Sequence, residues 1–511
     1  MVKIMLNSVL GYLSLTILLA LLATVRYVDI LWQRRRLARS NGCKLPRSLP
    51  QADSLLGLGT IRESYHHYQE GSYLSLSKDR FDQFGNTYRF VQLGSAVINT
   101  IEPENVKAIL STRFQDFSVG LKRQTAFEPL IGHGIFTADG SDWKHSRKML
   151  QPAFAKDELN NLSTLERNVQ ALLSQVTDQP VNLQRSFLAL TIDFATYFLF
   201  GESTAALRSP ESAANAENFG TAFDRAQKTV AKFFALGPFS ILACDPQFKR
   251  DQKTVSSYVD GFVEKALSSP QNKGEKGCFL NELSKHTQDV PLLRGGLLNI
   301  LLAGRDTTAS LLSNLWFVLA RRPDIYGRLQ EEIQVLNGKA PTRDDLKSLS
   351  YLKSCLDESL RLHPPIPRNS RTAIRDTILP VGGGEDEKSP IFVGRGTEVG
   401  YQVFAMHRRK DIWGSDADEF VPERWTRKDR PRPHWAYLPF NGGPRICPGQ
   451  QLALTEASYV TARLLQEFKS VKSSNESGSS ICSDGWREDL GLTCTTAEGT
   501  WVRLTRNACG T

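Results

Sequence analysis

The stretch Phe440-Asn-Gly-Gly-Pro-Arg-Ile-Cys447-Pro-Gly449 constrains this chain more than any other. Its cysteine stands in a glycine–proline loop, two residues after Arg445. A helix-forming run, Gln450-Gln-Leu-Ala-Leu-Thr-Glu-Ala-Ser-Tyr-Val, follows directly. At a helix N-terminus, unpaired backbone N–H groups and the positive end of the macrodipole favour the thiolate. Gly443 and Gly449 let the backbone approach a flat object closely, and Arg445 offers a fixed cation to an anionic group beside it. Thiolate, uncovered backbone and an arginine suited to a carboxylate together describe a loop that ligates haem iron. A thiolate ligand pushes electron density onto that metal and favours O–O cleavage. A lone cysteine in a Gly-Pro turn carries no such meaning; here the cysteine stands within the pattern Phe-x-x-Gly-x-Arg-x-Cys-x-Gly, with Phe440 at its head.

The rest of the composition narrows the class. With 511 residues, length alone suggests about three domains, but no linker divides the soluble part. The net charge of +9 is concentrated near the N-terminus, and no arginine-rich, aromatic-interleaved patch points to nucleic acid. The eight cysteines are scattered without a C-x-x-C pair, which argues against structural zinc and against a disulfide framework.

Residues 4–25 carry no charge, and at about 1.5 Å each they reach roughly 33 Å, enough for a hydrocarbon core of about 30 Å. Arg34, Arg35, Arg36 and Arg39 follow, against a single lysine in front. The positive-inside rule then puts the N-terminus in the lumen and the remainder in the cytosol. Residues 1–33 are read as a single-pass anchor (helix about 4–25) and residues 34–50 as a basic, proline-containing hinge, stiff and non-helical at Leu45-Pro-Arg-Ser-Leu-Pro50. A cleaved signal peptide is the rival reading, but the apolar stretch is too long for one. This topology predicts that sequons Asn161-Leu-Ser163 and Asn475-Glu-Ser477 stay unglycosylated.

Gly295-Gly-Leu-Leu-Asn-Ile-Leu-Leu-Ala303-Gly-Arg-Asp-Thr-Thr308 reads as a long apolar helix with a polar break. Gly304 and Asp306 are both costly there, and Thr307 and Thr308 can back-bond to preceding carbonyls. Further on, Glu358 and Arg361 share one helix face at i and i+3, and that helix stops at Pro364-Pro365. Trp143 and Arg147 share another face at i and i+4.

Together with the cysteine loop, these motifs resemble the cytochrome P-450 monooxygenases from about residue 80 to the C-terminus. The resemblance implies a mainly α fold with a minor β region and one catalytic domain over residues 51–511. It also implies haem b held by Cys447, with electrons from NADPH delivered by a separate reductase; cytochrome b5 is a second candidate donor. By the same resemblance Ala303 and Gly304 form an oxygen groove, Thr307 orients oxygen and a water, and Asp306 feeds protons, with Thr308 a weaker candidate. Glu358, Arg361 and Arg424, the last from Phe420-Val-Pro-Glu-Arg424-Trp, would form a charged lock holding the cysteine loop. Trp143 and Arg147 would take one haem propionate, Arg371 and Arg445 the other, with His145 a secondary contact and His363 a helix cap. One departure has chemical meaning: Pro448 has no N–H, so Gly449 and Gln450 must donate to the sulfur.

The stretches Phe136–Arg147, Ala303–Thr308, Ala405–Phe420 and Phe440–Val460 are most similar to the fungal alkane and fatty-acid hydroxylase branch. That likeness implies a lipophilic substrate oxidised at or near a terminal methyl by an enzyme of the endoplasmic reticulum membrane. Tailoring of a polyketide or other lipophilic intermediate stays open as the alternative. The segment Phe114–Ile135, with Phe127, Leu130 and Ile131, and the apolar face of residues 297–302 are expected to line the channel, with residues 233–242 at its entrance; as plain sequence they are equally consistent with core packing. The tail 473–484 reads as a solvated loop and Gly382-Gly-Gly-Glu-Asp-Glu as a hairpin turn. Haem-thiolate isomerases and membrane-held haem sensors are competing classes, and the Asp306–Thr307 pair speaks against both.

Overall fold

The computed structural model describes residues 2–154, 162–207, 210–237, 240, 245–268, 278–427, 434–474 and 486–507. Both sequon asparagines, Asn161 and Asn475, most of the 473–484 loop and part of the 233–242 entrance lie outside the described residues.

A thirty-residue helix, Val290–Leu319, runs through the middle of the molecule. Asp289 caps it, its carboxylate accepting the N–H of Leu292 at 3.2 Å, and Pro291 occupies the first turn, where a missing N–H does no harm. Its sequence is apolar all round, which makes it a core helix rather than an amphipathic one. It packs against the helices Leu183–Phe200, Ser350–Leu362 and Gln450–Glu467. Buried side chains such as Leu311, Leu315 and Trp316 meet Phe187, Leu356 and Val460 there. From Leu297 to Ala320 every residue is buried except Ala303, Gly304 and Thr307. Those three lie at i, i+1 and i+4, one strip of the helix surface, and an added Cβ on Gly304 meets nothing within 4 Å. The polar break in the sequence therefore faces open space.

The β region is small. Its largest sheet has six strands, in the order Arg47–Ser48, Thr87–Gln92, Ser95–Thr100, Glu398–Gln402, Arg368–Ala373, Phe117–Ser118. Antiparallel pairing sets Arg371 opposite Val399 and Ser118 opposite Thr372, which brings the segment after Ser118 to the same place as Asn369 and Arg371. Thr377–Gly383 and Ser389–Val393 form the expected hairpin.

At the front, one helix runs unbroken from Val2 to Ser40, longer than the 4–25 expected. Leu31 to Ser40 is rich in Leu, Ala and Arg, good helix formers, so the arginines do not end it. Gly42 does. Its φ of 63° allows its N–H to bond the Arg39 carbonyl (3.1 Å) while Cys43 bonds that of Ala38 (2.8 Å). The following segment is held rather than free: Lys44 N–H donates to Pro390 O and Arg47–Ser48 joins the sheet.

Candidate functional site

Cys447 sits in the loop ahead of the helix Gln450–Glu467, and its N–H closes the loop onto the Phe440 carbonyl at 3.0 Å. Gly443 is required, but not for the reason the sequence suggests. Its φ is 66°, and a Cβ there would lie 1.9 Å from the Leu110 carbonyl, so the missing side chain makes room for protein backbone. At Gly449 a Cβ would fall 4.0 Å from the sulfur and 3.4 Å from Phe154. Burial pushes the Cys447 thiol up, while the Gly449 N–H and the charge of Arg147 draw it down. The thiolate expected from the helix terminus alone is thus opposed by desolvation, and a neighbouring cation must complete the balance.

Four arginines converge near this loop. Arg445 donates to the carbonyls of Ile135 (3.2 Å) and Ala138 (2.9 Å) and to Asp139 Oδ1 (2.7 Å), and lies over the Trp143 ring at 4.5 Å. Burial, then the like charges of Arg371, Arg123 and Arg147, pull its guanidinium down to about 9, with Asp139 acting the other way. Arg371 is buried and donates to Asn369 Oδ1 (3.0 Å) and to Ser370 O (2.7 Å). Arg123 was not singled out from the sequence. It lies in the helix Leu121–Ile131, donates through Nη2 to the same Asn369 Oδ1, and its buried Nε has no hydrogen-bond partner among the described residues. Burial and then Arg371 bring it down to about 10. Such a cluster of repelling, desolvated cations with an orphaned donor fits a buried group carrying more than one carboxylate, as haem does. The structure brings Arg123, Arg147, Arg371 and Arg445 together; His145 points to solvent, and His363 caps its helix through its backbone N–H while its ring packs on Trp486.

Replacing Arg123 with methionine keeps the volume and removes a charge-assisted donor of about 1.5–3 kcal/mol. Transfer of haem from the purified protein to apomyoglobin should then be roughly ten- to a hundred-fold faster. An unchanged transfer rate would remove Arg123 from the cradle.

The lock is a fully buried network. Arg361 Nε and Nη2 grip Glu358 as a two-pronged fork, both at 2.8 Å. Glu358 also accepts from Val421 N–H (2.9 Å), Trp425 Nε1 (3.0 Å) and Arg424 Nε (3.4 Å). Arg361 spends its remaining donors on the carbonyls of His407, Ala417 and Glu419, and Arg424 on Trp413 O and Asp416. One link was missed in the sequence: His407. Its Nε2 accepts the Leu438 N–H at 2.9 Å, so Nδ1 carries the proton and donates to Arg361 O at 3.1 Å. Leu438 stands two residues before Phe440, so this imidazole ties the lock to the cysteine loop.

Burial lowers His407 to about 3, with the positive charges of Arg361 and Arg408 adding to the effect. A folded-state value below the unfolded value of about 6.5 means that unfolding takes up a proton in acid. Stability is then complete above pH about 6.5 and lost as pH falls toward 3, by roughly 2 kcal/mol at pH 5. His407→Asn, which keeps one donor and one acceptor, should flatten the urea-unfolding free energy between pH 7 and 5. Equal slopes for the two proteins would contradict the assignment.

On the central helix, Thr307 Oγ1 donates to the Ala303 carbonyl at 2.6 Å, the expected back-bond, at the one strip that faces open space. Thr308 is buried in the packing and does not share that strip. Asp306 is also behind it, fully buried. Desolvation raises its carboxyl, opposed by Arg305. Oδ1 lies 3.1 Å from Arg305 Nη1 without making a hydrogen bond. Arg305 in turn pairs with Asp224, on the helix Pro210–Leu236, whose side chain is 47% exposed. Leu130, Ile131 and the apolar members of residues 297–302 pack in the core with Phe219 and Phe223, whereas Phe114, Phe127 and Ile135 of the expected channel segment are half-buried.

The cytochrome P450 family model matches residues 60–485 of the chain. Among individual proteins, the cytochrome P450 monooxygenase himC of Aspergillus japonicus is 40% identical over 97% of this chain and 89% of its own length. The cytochrome P450 monooxygenase fsdH of Fusarium heterosporum is 39% identical over 94% and 86%. Cytochrome P450 52A12 of Debaryomyces hansenii is 42% identical over 85% and 88%.

Proposed function

Because the chain belongs to the cytochrome P450 family and is a monooxygenase, we propose that it hydroxylates a long alkane or fatty-acid chain at or near its terminal methyl. The net reaction is R–H + O2 + NADPH + H+ → R–OH + H2O + NADP+, with electrons passed from NADPH through a separate reductase. Haem, when bound, supplies the activation of dioxygen and the insertion of one oxygen atom into a C–H bond.

What the chain contributes follows from its side chains. Cys447 would hold the metal, and Trp143, Arg147, Arg123, Arg371 and Arg445 would hold the haem carboxylates. Glu358, Arg361 and Arg424 keep the loop in place and take no part in chemistry. Thr307 presents its hydroxyl to the open strip, where breaking its back-bond to Ala303 frees it to hold a water. Asp306 Oδ1, buried and short of a hydrogen bond, is the atom that can take and return a proton. The salt link Arg305–Asp224 connects this carboxyl to the half-exposed surface of a neighbouring helix. The carrying observation is the single open strip at Ala303, Gly304 and Thr307 in an otherwise buried helix. It admits a substrate to one place and leaves the rest of the helix closed.

The test is product analysis of membranes containing the chain and a reductase, fed fatty acids and alkanes. Terminal or near-terminal alcohols are expected. Unchanged lipids would overturn the substrate assignment in favour of a polyketide or other lipophilic intermediate.

A further inference from the structure

Asn299 is the one polar side chain in the apolar run Leu297–Leu302 of the central helix. It is fully buried, so its amide must find partners inside the protein. Nδ2 donates to Gly295 O on its own helix at 2.8 Å and to Ile131 O at 2.9 Å, and Oδ1 accepts the Phe136 N–H at 3.2 Å. Two carbonyls beside one end of the amide and an N–H beside the other allow it a single orientation. The segment 131–136 therefore lies with its backbone against the helix. A Cβ on Gly295 would meet His133 O at 2.9 Å, and one on Gly134 would meet Asn299 Nδ2 at 2.5 Å, so neither position has room for a side chain. Thr137 stiffens the segment, its Oγ1 donating to Gly132 O and accepting the Gly134 N–H, each at 2.9 Å. Asn299 precedes Ala303 by one turn, which puts this contact where the open strip of the helix ends.

The cysteine loop holds the same segment from its other side. Among the described residues Arg445 has three hydrogen-bond acceptors, Ile135 O, Ala138 O and Asp139 Oδ1, and all of them belong to this stretch. Asp139 also accepts the Val119 N–H at 3.1 Å, which fixes the far end. Ile135 O and the Phe136 N–H are the two edges of one planar peptide group. That single amide accepts from Arg445 Nη1 at 3.2 Å on one edge and donates to Asn299 Oδ1 at 3.2 Å on the other. Hydrogen bonds in such a chain polarise one another, and the charge on the arginine strengthens the link it makes.

We infer that Asn299 is a positioning residue for Arg445, tying the central helix through the Ile135–Phe136 peptide to the arginine that would hold a haem carboxylate. Asn299 itself needs to touch neither substrate nor cofactor. Its part is to keep the segment 131–139, and with it the guanidinium, in one register against the helix that carries Ala303, Gly304 and Thr307. The spacing of that helix and the cysteine loop is then set at this edge by two hydrogen bonds as well as by packing. An asparagine that merely satisfied itself in the core would bond its own helix alone, as Ser313 does through Oγ to Ala309 O at 2.6 Å. The inference rests on the reading of Arg445 as a partner of a haem carboxylate.

Asn299→Leu keeps the volume and removes the bridge. Transfer of haem from the purified protein to apomyoglobin should then be roughly two- to ten-fold faster, the scale of one lost neutral hydrogen bond. The propionate-bending band of the resonance Raman spectrum should shift with it. Ser313→Ala, equally buried on the same helix, controls for general loosening and should leave that band in place. In an Arg445→Lys background, which alone speeds transfer, Asn299→Leu should add little, because both changes break one chain of contacts. Should Asn299→Leu not fold, Asn299→Ser, whose hydroxyl falls short of Phe136, reads the same link. An unshifted band with the parental transfer rate in a folded Asn299 variant overturns the inference. So does full additivity with Arg445→Lys, or an equal shift in Ser313→Ala. Parental transfer in Arg445→Lys itself overturns the haem-carboxylate reading and the inference with it, a distinct outcome.

Discussion

Glu358→Ala is expected to yield protein that no longer retains haem and is less stable by about 3–5 kcal/mol, the loss typical when one partner of a buried ion pair is removed. The size follows from what Glu358 alone satisfies. Its carboxylate is completely buried and is the anionic partner of both Arg361 and Arg424, while also accepting the Val421 and Trp425 N–H groups. Alanine leaves the Arg361 guanidinium desolvated with an unbalanced positive charge and Arg424 with Asp416 alone as its anionic partner, and the segment Phe420–Trp425 loses its hold on the helix Ser350–Leu362. Because His407 carries the same network to Leu438, the disturbance reaches the cysteine loop. Thermal unfolding and the haem content of the purified variant are the measurements. A loss under about 1 kcal/mol with full haem content would show that the network behaves as an exposed pair does.

Asp306→Asn is expected to lower hydroxylation by about a hundred-fold with little change in substrate affinity, the scale of a lost general acid–base. The substitution is isosteric and keeps an acceptor beside Arg305 and Gln227, so the fold should tolerate it. What it removes is a carboxyl whose pKa burial raises, against the pull of Arg305, next to the open strip. Product formed per NADPH consumed is the informative ratio: it should fall while NADPH consumption continues. A variant with unchanged coupling would move proton delivery to another group, with Thr307 the next to replace.

How much of this was legible in the chain depends on whether a residue's partners lie near it in sequence. The cysteine loop, the Glu358–Arg361 pair and the Ala303–Thr308 break were readable because three or four residues of helix or loop carry each signal. The role of Gly443 was misjudged because the atom it accommodates, Leu110 O, belongs to a segment far away in the chain. Arg123 was invisible for the same reason. Its helix shows no distinctive pattern, and its meaning comes from Asn369 and Arg371 on a strand that pairs beside it only in the fold. His407 reads as one more residue of Ala405-Met-His-Arg-Arg until Arg361 O and Leu438 N are set on either side of its ring. Leu130 and Ile131 could not be assigned to channel or core from sequence, because apolar residues facing a core and apolar residues facing a cavity have the same composition. The long front helix was underestimated because a run of arginines was taken as an ending, whereas the backbone ends at Gly42.

The central claim is that the Cys447 sulfur, as thiolate, is the ligand of a haem iron in this chain. The most direct measurement is the carbon-monoxide difference spectrum of the reduced, purified protein beside its Cys447→Ser variant. The intact chain should show the red-shifted Soret band that a thiolate opposite carbon monoxide produces, and the serine variant should lack it. A normal, unshifted Soret position in the intact chain, or the same shifted band in both proteins, would contradict the account.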